Sequence, residues 1–392
     1  MDLMDTGLLA SPKAQIRTAM TAFVARRARH GAVQHTGPSL NTHGPMTPPS
    51  FIQALLTAVQ PPPQTPNPAP SLCGLGADMA ERVRAHLSAQ LKEQLGQRVR
   101  AMTGATGDAR DFLEPAGDPG LFGPDSAAWQ VHAHFVAMMT GGLSSLMLQA
   151  LHPQALGAVW DHSRFRTQLQ ARLGRTALFV ATTTYGGTAA ALQSIERVNR
   201  IHAQIRGHLP DGTPYVANDP ELIRWVHLGE TTSFLRAYQD LSLQPLPTNR
   251  QDLYFAEMAQ IGERLGAIDL PLTRHQALTQ LQAYRPELRV DERTRETIAL
   301  IEHYPCAPLD RPLVSLIVRA AFQMLPDWAL EMLGRERSCP LEQAAVRTAL
   351  QGMGASLAWA FADTGVAARA RQRMDPAMTS QAFKAAGSSP GT

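Results

Sequence analysis

Cysteine, lysine and runs of like charge are scarce in this chain, and each scarcity removes a class of function. Three cysteines, Cys73, Cys306 and Cys339, stand far apart in 392 residues. An odd, scattered set builds no disulfide framework and points to a reducing compartment. Only Lys13, Lys92 and Lys384 are lysines among 36 basic residues, and the formal net charge is +3. The densest basic group is Arg26-Arg27-Ala28-Arg29. So nearly balanced a chain has no electrostatic footprint for nucleic acid, and the arginine group reads as part of a solvated arm. The N-terminus carries Asp2 and Asp5 and no continuous apolar core before a small-residue cleavage site, so no secretory signal is expected and the cytoplasm is the expected location.

Catalytic signatures are also missing. Gly141-Gly142-Leu143-Ser144 is not a nucleophile elbow, and there is no His-Glu-x-x-His zinc site, no phosphate-cradling Gly-x-x-x-x-Gly-Lys and no dinucleotide fingerprint after a strand. Absence of Cys-x-x-Cys-His excludes covalent c-type haem attachment.

What is present is apolar and helical. Ten prolines between Pro38 and Pro70 favour extended, solvated backbone, so residues 1–77 are expected to be a disordered Pro-rich arm. Met79, Val83, Leu87, Leu91 and Leu95 then recur every fourth residue, predicting a helix over 78–103. A Gly, Asp and Pro-rich loop leads to Asp125 or Ser126 as the cap of a long helix reaching about Leu151. Later helical patterns follow at short intervals, strand-like alternation is scarce, and the fold is expected to be all-α. The expected division is the arm, a helical domain over 78–335, and a C-terminal helix and tail over 336–392.

The segment Ser126–Trp160 contains no Asp, Glu, Lys or Arg, and a second charge-free run spans Thr176–Ile195. A helix apolar all round is either the centre of a bundle or a membrane span. His132, His134, Gln130, Gln149 and the pair Gly141-Gly142 interrupt it, which favours the buried helix; membrane association is the alternative. The glycine pair would let another helix, or a flat ligand, approach closely.

Val198, Ile201, His202 and Ile205 fall at helical spacing, placing His202 on an apolar stripe where its ring nitrogens need partners: a backbone carbonyl, or a metal or haem. Arg172 and Arg175 stand three apart just before a charge-free run, with Thr176 beside them. Arginine forks suit anionic carboxylates, and a hydroxyl can hydrogen-bond bound dioxygen; the plainer reading is a pair of surface arginines at a helix start. Asp219-Pro220 is a strong helix start. The helix it opens carries His227.

In these blocks the chain resembles the family of latex-clearing rubber oxygenases and the membrane-associated oxygenase of mycophenolic acid biosynthesis. The matching text is Gly141-Gly142 with Leu148-Gln149-Ala150-Leu151-His152-Pro153, Asp161-His162-Ser163, Arg172-Leu173-Gly174-Arg175-Thr176, the Val198 to His202 helix with Gly207, Tyr215 to Leu222, and Trp225-Val226-His227. Weaker similarity runs through Asp252-Leu253-Tyr254 and Gly262 to Leu325-Pro326. The resemblance implies one large helical domain, a globin-like bundle around a haem pocket, with haem b held by iron ligation through His202. Arg172 and Thr176 match positions close to the haem, and Arg175 stands where the rubber enzymes have a lysine able to ligate. The essential glutamate of those enzymes has no match here, since the region before Arg172 offers only Asp161. His227, with His152 and His162, is a candidate for hydrogen bonding around the haem.

The expected function is a haem-dependent oxygenase acting with dioxygen on an apolar, isoprenoid-like alkene. Arg172, Thr176 and Asp161 are the catalytic candidates, and His202, Arg172, Arg175, Thr176 and His227 hold the cofactor. A non-catalytic haem or lipid carrier, and a cofactor-free membrane-associated protein, stand as alternatives.

Overall fold

The computed structural model describes residues 110–375 and a few positions between Gln90 and Gln97. The expected arm lies outside the described residues, as does most of the helix expected over 78–103, whose described positions are helical. From Arg110 onward the chain is helical apart from one small hairpin, as its patterns predict.

The charge-free stretch does not form one rod. After a short α1 (Arg110–Leu113), it folds as α2 (Ala127–His132), α3 (Phe135–Gln149) and α4 (Pro153–His162). Ser126 caps α2 by accepting from the Trp129 amide at 3.1 Å. The break before α3 comes from His134, whose Nδ1 accepts the Ala137 amide at 3.1 Å and so caps a new helix. Pro153 then fits at the first position of α4, and the axis bends by 105° between α3 and α4. No single described helix is long and apolar enough to cross a membrane; only this bent pair meets the length and composition together.

Next come α5 (Leu169–Tyr185) and α6 (Thr188–His202), joined by Gly186-Gly187. A two-stranded antiparallel hairpin follows, β1 (Arg206–His208) and β2 (Pro214–Val216), with Gly207 opposite Tyr215. Helix α7 (Pro220–Leu241) opens as its sequence predicts, with Asp219 accepting the Glu221 amide at 2.8 Å. The rest is α8 (Thr248–Leu265), α9 (Arg274–Ala283), α10 (Glu292–Glu302), α11 (Arg311–Met324), α12 (Asp327–Met332), α13 (Pro340–Phe361) and α14 (Val366–Arg373).

Helix α3 is the axis of the core, packed against α7, α11 and α13. Its glycine is used by a helix, not by a ligand: a Cβ on Gly141 would lie 2.8 Å from the Ser233 carbonyl and 3.0 Å from the Phe234 Cα. Small residues at this crossing let the α3 and α7 backbones approach as closely as they do. Trp129, Trp225, Tyr254 and Phe255 are fully buried around it, and burial of such large rings dominates the driving force for folding.

Candidate functional site

Helices α5 and α6 form an antiparallel hairpin, so residues equally far from Gly186-Gly187 must face one another. Arg172 and His202 stand at nearly equal separations from that turn. The fold brings them together, and the charge of Arg172 acts on the imidazole. The stripe on α6 is not the one the spacing suggested: Ala191 and Ile195 are buried, but Ile201 is 49% exposed, and Ile205 lies beyond the helix end. His202 itself is half-buried at the last helical position.

The His202 ring has an unmet need. Its Nδ1 is buried with no hydrogen-bond partner. Burial first, and the Arg172 charge second, hold the imidazole below its ordinary pKa, so it is neutral at pH 7 and keeps a free lone pair.

Arg172 is similarly exposed to need. Among the described residues no hydrogen bond or close ion pair reaches its guanidinium. Burial and the neighbouring Arg175 charge lower its pKa, opposed by Glu230 on α7. Glu230 too is half-buried, with no hydrogen bond to its carboxyl. Burial lifts Glu230 to about 7 against the pull of Arg172. A cation, a neutral imidazole and a carboxyl that changes charge near neutrality thus come from three successive helices.

A second, satisfied layer backs this one. Tyr254 on α8 feels the Glu230 charge. The Tyr254 hydroxyl lies 3.1 Å from His132 Nε2, and His132 Nδ1 lies 2.7 Å from the Thr184 hydroxyl. His132 is buried, and burial drops it to about 3. It is therefore neutral, with both nitrogens partnered.

The remaining candidates divide. The Thr176 hydroxyl donates back to the Arg172 carbonyl at 3.3 Å, a weak bond that leaves it adaptable at the same end of α5. Arg175 is exposed. Asp161 is not joined to Arg172, Thr176 or His202: it accepts from the Tyr215 hydroxyl at 2.6 Å and pairs with Arg293 at 3.4 Å, tying α4 to the strand hairpin and α10. His227 is buried against α8, where a Cβ on Gly262 would come within 3.1 Å of its Nδ1, and burial lowers its pKa to about 4.

A protein-family model described as ER-bound oxygenase mpaB/B'/Rubber oxygenase, catalytic domain, matches residues 129–360. The chain belongs to this family. No curated protein and no solved structure matches the chain. The matched oxygenase domain contains Arg172, Thr176, His202, His227, Glu230 and Tyr254, and marks the chain as an oxygenase-type enzyme.

Glu230 is the residue that the family resemblance and the spacing both passed over. A signal for it exists: it is a mid-helix carboxylate beside Gly229 on a helix buried through Leu222, Trp225, Leu228 and Phe234. An ionisable group among such neighbours is a functional candidate on energetic grounds.

Proposed function

We propose that this family member is a haem-b-dependent oxygenase that uses dioxygen on an apolar, isoprenoid-like alkene, with His202 as the iron ligand. The observation that carries the reading is the half-buried, neutral His202 ring, whose buried Nδ1 has no hydrogen-bond partner, beside an Arg172 guanidinium that meets no hydrogen-bond partner among the described residues. Most buried polar atoms are hydrogen-bonded, so an unpartnered ring nitrogen beside a cation without a close partner is open to a bound group.

The residues fit the group. A neutral imidazole is the form that ligates iron, and an unpaired guanidinium is suited to an anionic propionate. Among the described residues no three His, Cys, Asp or Glu gather as a metal site. Iron here would need a ligand set beyond the protein, which a porphyrin provides. Bound there, haem b would supply the redox chemistry that dioxygen requires.

The chain's own groups supply the rest. Arg172 offers a planar set of N–H donors to orient an anionic or oxygen-bearing end, and Thr176 offers a hydroxyl from the same turn of helix. Glu230 exchanges a proton at its carboxyl oxygen near neutral pH, the range in which a general base is most effective.

The test is an absorption spectrum of protein produced with ample haem precursor, beside His202→Ala with its helical circular dichroism checked. A Soret band in the native protein that is lost in the folded variant is expected. No band in the native protein, or an unchanged one in the variant, overturns the assignment. Dioxygen uptake with isoprenoid alkenes that never exceeds free haem would favour a haem carrier instead.

A further inference from the structure

Arg373, the last residue of α14, is fully buried and lies beyond the family match. Its guanidinium meets four main-chain carbonyls. Nε donates to Asp118 at 2.7 Å, Nη1 to Phe112 at 3.1 Å and to Tyr185 at 2.8 Å, and Nη2 to Gly186 at 3.3 Å. Two of these acceptors, Tyr185 and Gly186, are the end of α5 and the turn into α6. The other two belong to the segment that runs in from α1.

That segment grips the turn from its other side. The Asp118 carboxylate accepts the Thr188 amide and hydroxyl, both at 2.6 Å, capping α6. The Gly187 amide donates to the Asp111 carbonyl at 3.0 Å, and a Cβ on Gly187 would lie 2.7 Å from the Glu114 carbonyl. The Arg373 carbonyl in turn accepts the Gly117 amide at 2.7 Å. An arginine, two loop segments and a turn are thus fastened together, and an apolar cluster of Phe112, Trp129, Tyr185 and Ala370 seals the joint.

The joint sits at one end of the α5–α6 hairpin and the Arg172–His202 pair at the other. At 1.5 Å per helical residue the two are about 20 Å apart, so a tilt of about 5° at the turn moves the far ends by about 2 Å. Displacements of this size are large for a binding or catalytic constellation.

We propose that Arg373 is a positioning residue: by clamping the Gly186-Gly187 turn it sets the opening of the α5–α6 hairpin and hence the separation of Arg172 from His202. The C-terminal helix, outside the matched oxygenase domain, then completes the geometry of the site. Only the link to haem rests on the function proposed above; the link to hairpin geometry does not.

The experiment uses the full chain with Cys73, Cys306 and Cys339 changed to Ser and spin labels at Ala171→Cys and Arg200→Cys, exposed positions at the far end of the hairpin. Pulsed electron spin resonance reads their separation. Arg373→Ala is expected to shift or broaden the distribution by about 2 Å while helical circular dichroism is kept, with Arg373→Lys in between. A haem titration of the unlabelled proteins should show at least tenfold weaker uptake in Arg373→Ala. A distance distribution identical to the parent in Arg373→Ala overturns the proposal, even if melting is lowered. Should that variant fail to fold, Arg373→Lys decides by the same criterion. If the native chain takes up no haem, the haem reading falls while the distance measurement still judges the clamp.

Discussion

Arg373 and Arg172 are both arginines drawn into the protein interior, and they are treated in opposite ways. Arg373 is fully buried and its donors reach four carbonyls; Arg172 is half-buried and, among the described residues, its donors reach nothing within hydrogen-bond distance. The same contrast separates His132, held by Thr184 and Tyr254, from His202, whose buried Nδ1 is free. Folding accounts for the first member of each pair, because an ordered, fully bonded polar group repays its desolvation. It does not account for the second. Ionisable groups left short of partners on three neighbouring helices mark a candidate functional site.

The largest expected effect comes from three buried histidines, of which His132 is partnered at both ring nitrogens while His152 leaves Nδ1 unpartnered. Burial holds His132 at about 3 and His152 and His227 at about 4, whereas in the unfolded chain each titrates near 6.5. The unfolded state therefore binds protons that the fold refuses. Stability should be full above about pH 6.5 and fall as pH drops towards 4, by roughly 2 kcal/mol per histidine at pH 5. Urea midpoints at pH 7 and pH 5 measure this, and His132→Gln should flatten the slope.

Next in size is the arginine pair itself. Arg373→Ala strands four carbonyls in the interior and should cost about 3 kcal/mol in urea unfolding at pH 7. Glu230→Gln comes third and has the opposite sign. Because the folded pKa of Glu230 is raised to about 7, its contribution is most favourable below the unfolded value and is lost as pH rises through 7. The variant should be more stable than the parent by about 1–2 kcal/mol at pH 8 and equal to it at pH 4. A stability gain accompanied by lost turnover would mark Glu230 as functional; a loss at pH 8 would mean that the ion is structurally required. Smallest is Arg172→Met, expected to change stability by less than about 1 kcal/mol while weakening haem uptake. If Arg172→Met destabilises as strongly as Arg373→Ala, the contrast between the two arginines disappears.

Much of the helical architecture was legible because it depends on local chemistry. Asp219-Pro220 begins a helix and the charge-free stretch is buried, as each must be on energetic grounds, but the helix that Pro153 begins was not expected. The break at His134 was not legible, since histidine capping depends on a ring orientation that no pattern encodes. The strand hairpin escaped because each strand has only three residues and Tyr215 is the one buried side chain in the pair. Gly207 is where the Tyr215 ring crosses β1, leaving no room for a side chain.

At the site, the meeting of Arg172 with His202 follows from counting outward from Gly186-Gly187, so that pair was recoverable from the sequence. Glu230 was hidden because its helix also carries Glu221, Arg224, Arg236 and Asp240, so the pattern alone does not show which charge turns inward. Arg373 was hidden by its neighbours: with Arg369 and Arg371 it reads as one charge on a solvated face, and only the tertiary fold shows that it turns inward.

The central claim is the proposal that His202 would ligate haem iron through its ring. Replacing the residue by His202→Gly and supplying free imidazole tests this most directly, with haem uptake followed by absorption. The account predicts that the variant takes up haem weakly alone and regains a native-like Soret band as imidazole is added. A variant that keeps the native spectrum without imidazole, or that imidazole never restores, would contradict it.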